Sequence, residues 1–68
     1  MRILLNGEPR ELRDPATVAD AVDASGAPKS RAGVAVAVEG EVVPRSRWSD
    51  RALADGEHVE VLQAVQGG

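Results

Sequence analysis

The segment Met1-Arg2-Ile3-Leu4-Leu5-Asn6-Gly7-Glu8-Pro9-Arg10-Glu11-Leu12 decides the fold, because it reads as two strands joined by a tight turn. The odd positions from 1 to 5 are apolar and predict one buried face, while Leu4 falls on the opposite face. Asn6-Gly7 favours a type I′ turn, whose two central residues both need positive φ. Glu8 to Leu12 is polar and has Pro9 near its start, which suits an edge strand. The chain is therefore predicted to open with a β-hairpin.

A short helix is predicted after this hairpin. Thr17 can cap it with its hydroxyl, and Asp20 places negative charge near its first turn. The following residues form an apolar stripe at i, i+3, i+4 spacing, which consists of Val18, Ala21 and Val22. Gly26 is suited to the position just after the helix, and Pro28 prevents its continuation. The stripe contains only small side chains, so we expect this helix to be held weakly.

Three further strands are predicted in the second half of the chain. Val34 to Val38 alternates Val with Ala, so both of its faces are apolar, as in a central strand. Glu41 to Val43 reads as a short strand, and Arg45 to Leu53 as an irregular crossing or a short helical turn. The final strand is predicted over His58 to Val65. It places two sets of side chains on opposite faces, namely Val59, Val61 and Val65 on one face and Glu60, Leu62 and Ala64 on the other.

This order of elements predicts an α+β fold with a β-grasp sheet. An opening hairpin, a packed helix and a last strand that returns beside the first are the parts of that arrangement. We expect a mixed sheet of four to five strands packed on one helix, with the first and last strands parallel in its middle. The 68 residues leave room for one domain only.

The composition excludes several classes of function. The net charge of −3, from 8 basic and 11 acidic residues, argues against nucleic-acid binding, which needs a basic face. Trp48 is the single aromatic residue, so stacking platforms for bases are missing. There is no cysteine and no cluster of His or carboxylates at metal-ligand spacing, so we expect no disulfide, thiolate nucleophile or metal. No apolar run is long enough to cross a bilayer, so we expect a soluble cytoplasmic protein without a membrane partner.

The chain stops at Gln66-Gly67-Gly68, directly after an alternating apolar stretch. Glycine lacks a side chain and permits close backbone approach. Gly67 and Gly68 are therefore interpreted as a narrow stalk that presents the Gly68 carboxylate to a partner enzyme, through a channel too narrow for a Cβ. A frayed chain end is the alternative interpretation. The predicted organisation is a β-grasp domain over residues 1–65 and a flexible C-terminal reactive tail over residues 66–68.

Three segments carry a resemblance to a known family. They are Asn6-Gly7 in the first turn, the stretch GVAVAVEGEVVPRSRW over residues 33–48, and the ending DGEHVEVLQAVQGG over residues 55–68. In these segments the chain resembles the ThiS family of thiamine-pathway sulfur carriers, which are ubiquitin-like β-grasp proteins. The piece Val-Pro-Arg-x-x-Trp, residues 43–48, is the most specific part. The terminal Gly-Gly is shared with all ubiquitin-like carriers.

The resemblance implies a sulfur carrier in thiamine (thiazole) biosynthesis that is a substrate of enzymes and not an enzyme itself. A ThiF-type adenylating enzyme would use ATP to adenylate the carboxylate of Gly68. Sulfur from a cysteine desulfurase, or from another persulfide donor, would then replace AMP and give a thiocarboxylate. Thiazole synthase ThiG would take that sulfur. Gly68 is thus the reacting position, Gly67 and Gln66 form its tail, and the chain binds no cofactor because the partner uses the ATP.

Leu4, Leu62 and Ala64 are the candidate residues for docking of a partner. If the first and last strands are neighbours, Leu4 and Leu62 both point away from the helix and would form an exposed apolar patch, which often marks an interface. Trp48 is expected to cover the core, and its N–H then needs a hydrogen-bond acceptor. Two charged sets are interpreted as solvated surface: Arg45, Arg47 and Arg51, and Asp55, Glu57 and Glu60.

Three other functions remain open at the level of the sequence. The chain could be a sulfur carrier of another pathway, like the small subunit of molybdopterin synthase. It could be a ubiquitin-like modifier that is joined to lysines, or a passive ubiquitin-fold binding module. The length of 68 residues and the piece at residues 43–48 favour the thiazole carrier.

Overall fold

A computed structural model describes residues 1–64 of the chain as one helix packed on a five-stranded sheet. The elements are β1 (Arg2–Leu5), β2 (Glu8–Glu11), α1 (Val18–Ala24), β3 (Val34–Val38), β4 (Glu41–Val42), a 3₁₀ helix (Arg45–Arg47) and β5 (His58–Gln63). The strand order is β2-β1-β5-β3-β4. The β1–β5 pair is parallel and the other pairs are antiparallel. This confirms the predicted mixed sheet, including the parallel pairing of its first and last strands.

The opening hairpin has the predicted turn. Asn6 has a φ of 52° and Gly7 a φ of 84°, and both are the positive values that a type I′ turn requires. Every residue of β2 is exposed, in agreement with its predicted place at an edge of the sheet. The strand ends at Glu11, and the N–H of Leu12 then donates to the carbonyl of Met1 at 2.8 Å.

The predicted helix is present, and its apolar stripe of Val18, Ala21 and Val22 is buried. Thr17 is the N-cap residue, and its backbone N–H donates to Oδ2 of Asp20 at 2.8 Å. The acidic residue three positions on therefore satisfies a backbone donor at the start of the helix as well as supplying charge there. At the other end, Gly26 follows the C-cap residue Ser25 with a φ of 85°. This positive φ is the conformation that favours glycine after a helix.

The core lies between α1 and the inner face of the sheet. Its buried members are Ile3, Leu5, Val18, Ala21, Val22, Val36, Val38, Val43, Trp48, Leu53, Val59 and Val61. Trp48 is 2% exposed, and its Nε1–H donates to the carbonyl of Val43 at 2.9 Å. The indole therefore covers the core, as predicted, and its polar atom has the acceptor that burial demands.

The last strand begins at His58, after a turn in which Gly56 has a φ of 87°. It ends at Gln63, so Ala64 lies just beyond it, and Val65 falls outside the described residues. Gln66, Gly67 and Gly68 fall outside them as well. Within residues 1–64, no helix is long and apolar enough to cross a membrane.

Candidate functional site

The candidate site begins where β5 ends. The backbone N–H of Ala64 donates to the carbonyl of Gly33 at 2.8 Å. Gly33 has a φ of 70°, a backbone conformation that disfavours any residue with a side chain. Space is not the reason, because a Cβ at Gly33 would lie 3.5 Å from the carbonyl oxygen of Ala64, which is an ordinary contact distance. This contact between β5 and the loop before β3 is therefore the base from which residues 65–68 continue. The predicted reacting residue Gly68 and its tail residues Gly67 and Gln66 lie outside the described part.

An apolar surface lies next to this base, on the side of the sheet that faces away from the helix. Leu62 is 67% exposed and Val42 is 76% exposed. Between them runs β3, on which Ala35 is in register with Leu62 and Ala37 with Val42. Two large side chains thus flank two small ones, and this leaves a shallow depression. We call these four residues the outer apolar face.

The structure separates two of the three predicted docking residues. Leu4 is in register with His58 on β5, whereas Leu62 lies four residues further along that strand. Strand β1 ends at Leu5, so Leu62 has β3 as its neighbour and lies beyond the end of β1. The expected patch of Leu4 with Leu62 is therefore wrong, because the two residues point to the same side without meeting. Ala64 is exposed beyond β5.

The sequence analysis missed Val42 as a member of this surface. Val42 and Val43 are adjacent, so one of them had to face away from the core if the segment was a strand. Val43 is the buried one, and Val42 faces outwards next to Ala37. Whether Leu4, Leu62 or Ala64 contacts a partner stays a prediction.

The charged residues before β5 hold the turn that starts this strand. Glu57 accepts hydrogen bonds from the N–H of Ala54 at 2.8 Å and from Nη2 of Arg51 at 3.1 Å. Burial raises the pKa of Glu57, but the hydrogen bonds from Arg51 and Ala54 together with the charge of Arg51 outweigh it, so that the pKa lies below its usual value of 4.5. Oδ1 of Asp55 accepts from the N–H of Arg2 at 2.7 Å. Asp55, Glu57 and Arg51 therefore hold this turn, and Glu60 is exposed.

A second carboxylate is bound to the first residue of β5. Oε2 of Glu39 accepts from the backbone N–H of His58 at 2.7 Å and lies 3.1 Å from its Nδ1. These interactions hold the pKa of Glu39 below its usual value of 4.5. Glu39 has a φ of 51° in the turn between β3 and β4, so the contact fixes this turn against β5. Within residues 1–64, no group of three or more His, Asp or Glu side chains is placed to hold a metal ion.

The topology defines a class of protein. A hairpin, a helix that covers one face of the sheet, and a final strand inserted between β1 and β3 are together the ubiquitin-like β-grasp fold. In this chain the central strand β5 ends at Gln63, next to the outer apolar face that includes Leu62.

Comparison with known proteins identifies the family. The model of the ThiS family matches residues 3–68, and the chain belongs to this family. The chain is 28% identical to "Sulfur carrier protein ThiS" of Escherichia coli (strain K12), over 68 residues and the full length of both. It is also similar to a thiamine biosynthesis protein, ThiS, from Geobacter metallireducens, with 27% identity. The crystal structure of that protein has a TM-score of 0.78 over all of both chains, and a solution NMR structure has 0.79 over all of this chain and 88% of the other.

Proposed function

We propose that this chain is a sulfur carrier in thiamine biosynthesis and that its reacting group is the carboxylate of Gly68. The observation that carries the proposal is the family match, which continues through the end of the sequence to residue 68. The relative from Escherichia coli, which is covered over its full length, bears the name of a sulfur carrier. The relative from Geobacter metallireducens is described as a thiamine biosynthesis protein.

The chemistry requires an activating enzyme, because a free carboxylate is a poor electrophile. A ThiF-type partner would let an oxygen of the Gly68 carboxylate attack the α-phosphate of ATP, with pyrophosphate as the leaving group. A sulfur nucleophile then attacks the acyl carbon and AMP leaves. With sulfide this step gives the thiocarboxylate directly. With the persulfide of a cysteine desulfurase it gives an acyl disulfide, and a second thiol must cleave the S–S bond.

The chain contributes two parts to this chemistry: the C-terminal tail that ends in the reacting carboxylate, and a surface on which a partner can dock. In extended form, residues 65–68 would span about 13 Å at roughly 3.3 Å per residue, enough to enter a channel while the domain stays outside. The outer apolar face lies beside the base of this tail, so a partner that contacts Leu62 would meet the tail at the same time. Thiazole synthase ThiG, as the acceptor of the sulfur, would bind the same C-terminal tail.

Intact-mass measurement tests the proposal directly. The protein is incubated with a ThiF-type enzyme, ATP and sulfide, and the mass should increase by the difference between one sulfur and one oxygen atom. Oxidation of Met1 gives a nominally equal increase, so the change must map to a C-terminal fragment. It must also be absent from a protein that lacks Gly68. An unchanged C-terminal fragment would contradict the proposal, and a ladder of larger adducts in cell extract with ATP would indicate a protein modifier instead.

A further inference from the structure

The guanidinium of Arg45 is bound to a loop that is distant in sequence. Arg45 opens the 3₁₀ helix, and its Nη2 donates to the carbonyl of Ser30 at 2.9 Å and to that of Arg31 at 2.6 Å. The guanidinium also stands 5.6 Å from the centroid of the Trp48 ring. This ring is buried and fixed by its hydrogen bond to Val43, so it forms a rigid platform for the cation. Arg45 is exposed, as predicted, and it also binds this loop.

The tethered loop leads to the base of the tail. Arg31 has a φ of 58°, and its carbonyl, which accepts from Arg45, also accepts from the N–H of Val34 at 3.3 Å. Its own side chain pairs with Asp23 of α1 at 2.9 Å and stands 5.9 Å from the Trp48 ring. Two residues after Arg31, the carbonyl of Gly33 receives the N–H of Ala64. A continuous set of contacts therefore connects the 3₁₀ helix with the end of β5.

We infer that Arg45 is a positioning residue for the reacting tail. By fixing the loop, it fixes the Gly33 carbonyl, and that carbonyl holds the amide of Ala64, two residues before the first residue of the tail. The tail continues covalently from Ala64, and a reacting group whose attachment point is held in one orientation reaches a partner's site more often than one whose attachment point moves freely. The inference deepens the proposed function and rests on it for the role of the tail.

Amide hydrogen exchange tests, without any partner enzyme, whether Arg45 holds the Ala64 amide in place. In Arg45→Ala, exchange of the Ala64 amide should become about fivefold to tenfold faster, the size expected from the net contribution of one typical hydrogen bond at an exposed position. The amide of Val61, in the middle of β5, should exchange at an unchanged rate. The matched control is Arg47→Ala, which removes the same charge from an exposed position of the same 3₁₀ helix and should leave Ala64 unchanged. Equal exchange at Ala64 in Arg45→Ala and in the unaltered protein would overturn the inference.

Adenylation kinetics test the functional half. With a ThiF-type enzyme and ATP, Arg45→Ala should lower kcat for the carrier about fivefold while KM stays within about twofold, because the outer apolar face is intact. Arg45→Lys retains the charge but lacks the planar guanidinium, and its kcat should lie between that of Arg45→Ala and that of the unaltered protein. Faster exchange at Ala64 with an unchanged kcat would overturn the positioning role. Failure of the unaltered chain to be adenylated would instead contradict the proposed function, while the exchange measurement would still decide whether Arg45 holds the base of the tail.

Discussion

The side-chain amide of Asn6 is hydrogen-bonded to both the N–H and the carbonyl of Val61. The N–H of Val61 donates to Oδ1 at 2.8 Å, and Nδ2 donates to the Val61 carbonyl at 3.3 Å. Strand β1 ends at Leu5, which is in register with Val59, so the amide extends the pairing of β5 by two residues after the backbone has turned away. Asn6 also has the φ of 52° that its turn requires. One residue therefore makes the hairpin and supports the central strand.

Replacement of Asn6 should separate these two roles. Asn6→Gly retains the freedom to adopt positive φ but removes both side-chain hydrogen bonds, and should lower the free energy of unfolding by about 1–3 kcal/mol. Asn6→Ala should cost about 1 kcal/mol more, because a Cβ at this φ adds strain. Urea denaturation of the three proteins measures both differences. Equal stability of Asn6→Gly and the unaltered protein would show that the bonds to Val61 contribute nothing.

Much of the fold follows from local sequence signals. The Asn6-Gly7 turn, the alternation in Val34–Val38 and the helix stripe each depend on neighbours in the chain, and each was found where it was predicted. The bonds from Asn6 to Val61 were not predicted, because they connect residues far apart in the sequence and depend on how far β1 extends along β5. Local patterns carry no information about that length.

The candidate site, too, was predicted only where it depends on local sequence. The exposure of Leu62 followed from the alternation of β5, but its partner on the surface did not, because that partner is set by the register between strands. Leu4 is in register with His58, which leaves Leu62 beside Ala35 and near Val42. A register different by four residues would have brought the two leucines together. The tether from Arg45 to the loop was missed for a related reason, since an arginine that binds backbone carbonyls has no sequence pattern to reveal it.

The ion pair of Glu57 with Arg51 should make stability depend on pH. The pKa of Glu57 is lower in the folded chain than its usual value of 4.5, so its stabilisation is complete above about pH 4.5 and is lost as the pH falls through the lower, folded value. Glu57→Gln should be less stable by about 0.5–1 kcal/mol at pH 7, because the pair lies partly in solvent. Urea denaturation at pH 7 and pH 3 should show this difference shrinking at the lower pH.

Glu39 also has a lowered pKa and also makes the fold lose stability as the pH falls. The charges of Glu39 and Glu57 repel each other, so the contribution of Glu39 cancels only in part in the difference between the two proteins. A gap between Glu57→Gln and the unaltered chain that widens at pH 3 would contradict the assignment of the stabilisation to the ionised carboxylate.

Leu62 should affect partner binding more than it affects stability. Because Leu62 is 67% exposed, Leu62→Glu should change the free energy of unfolding by no more than about 0.5 kcal/mol. In adenylation by a ThiF-type enzyme, it should raise KM about tenfold or more, since a charge would replace an apolar contact at the interface. The matched control is Arg13→Gln, which gives the same change in net charge at an exposed position after β2, the edge strand furthest from β4. Equal KM values for the two variants would show that Leu62 does not contact the adenylating enzyme.

Adenylation should be sensitive to the addition of any side chain at Gly67, and we expect the fold to tolerate that addition. Gly67→Val is expected to unfold at the same temperature as the unaltered chain and to be adenylated about 100-fold more slowly, because a branched side chain would displace the carboxylate of Gly68 within a narrow channel. Gly67→Ala adds a single Cβ, and its adenylation rate should lie between that of Gly67→Val and that of the unaltered chain. Release of pyrophosphate from ATP measures the rates. A graded loss over Gly, Ala and Val indicates a steric limit along the tail, whereas normal turnover by Gly67→Val would mean that the channel is wider than the sequence implies.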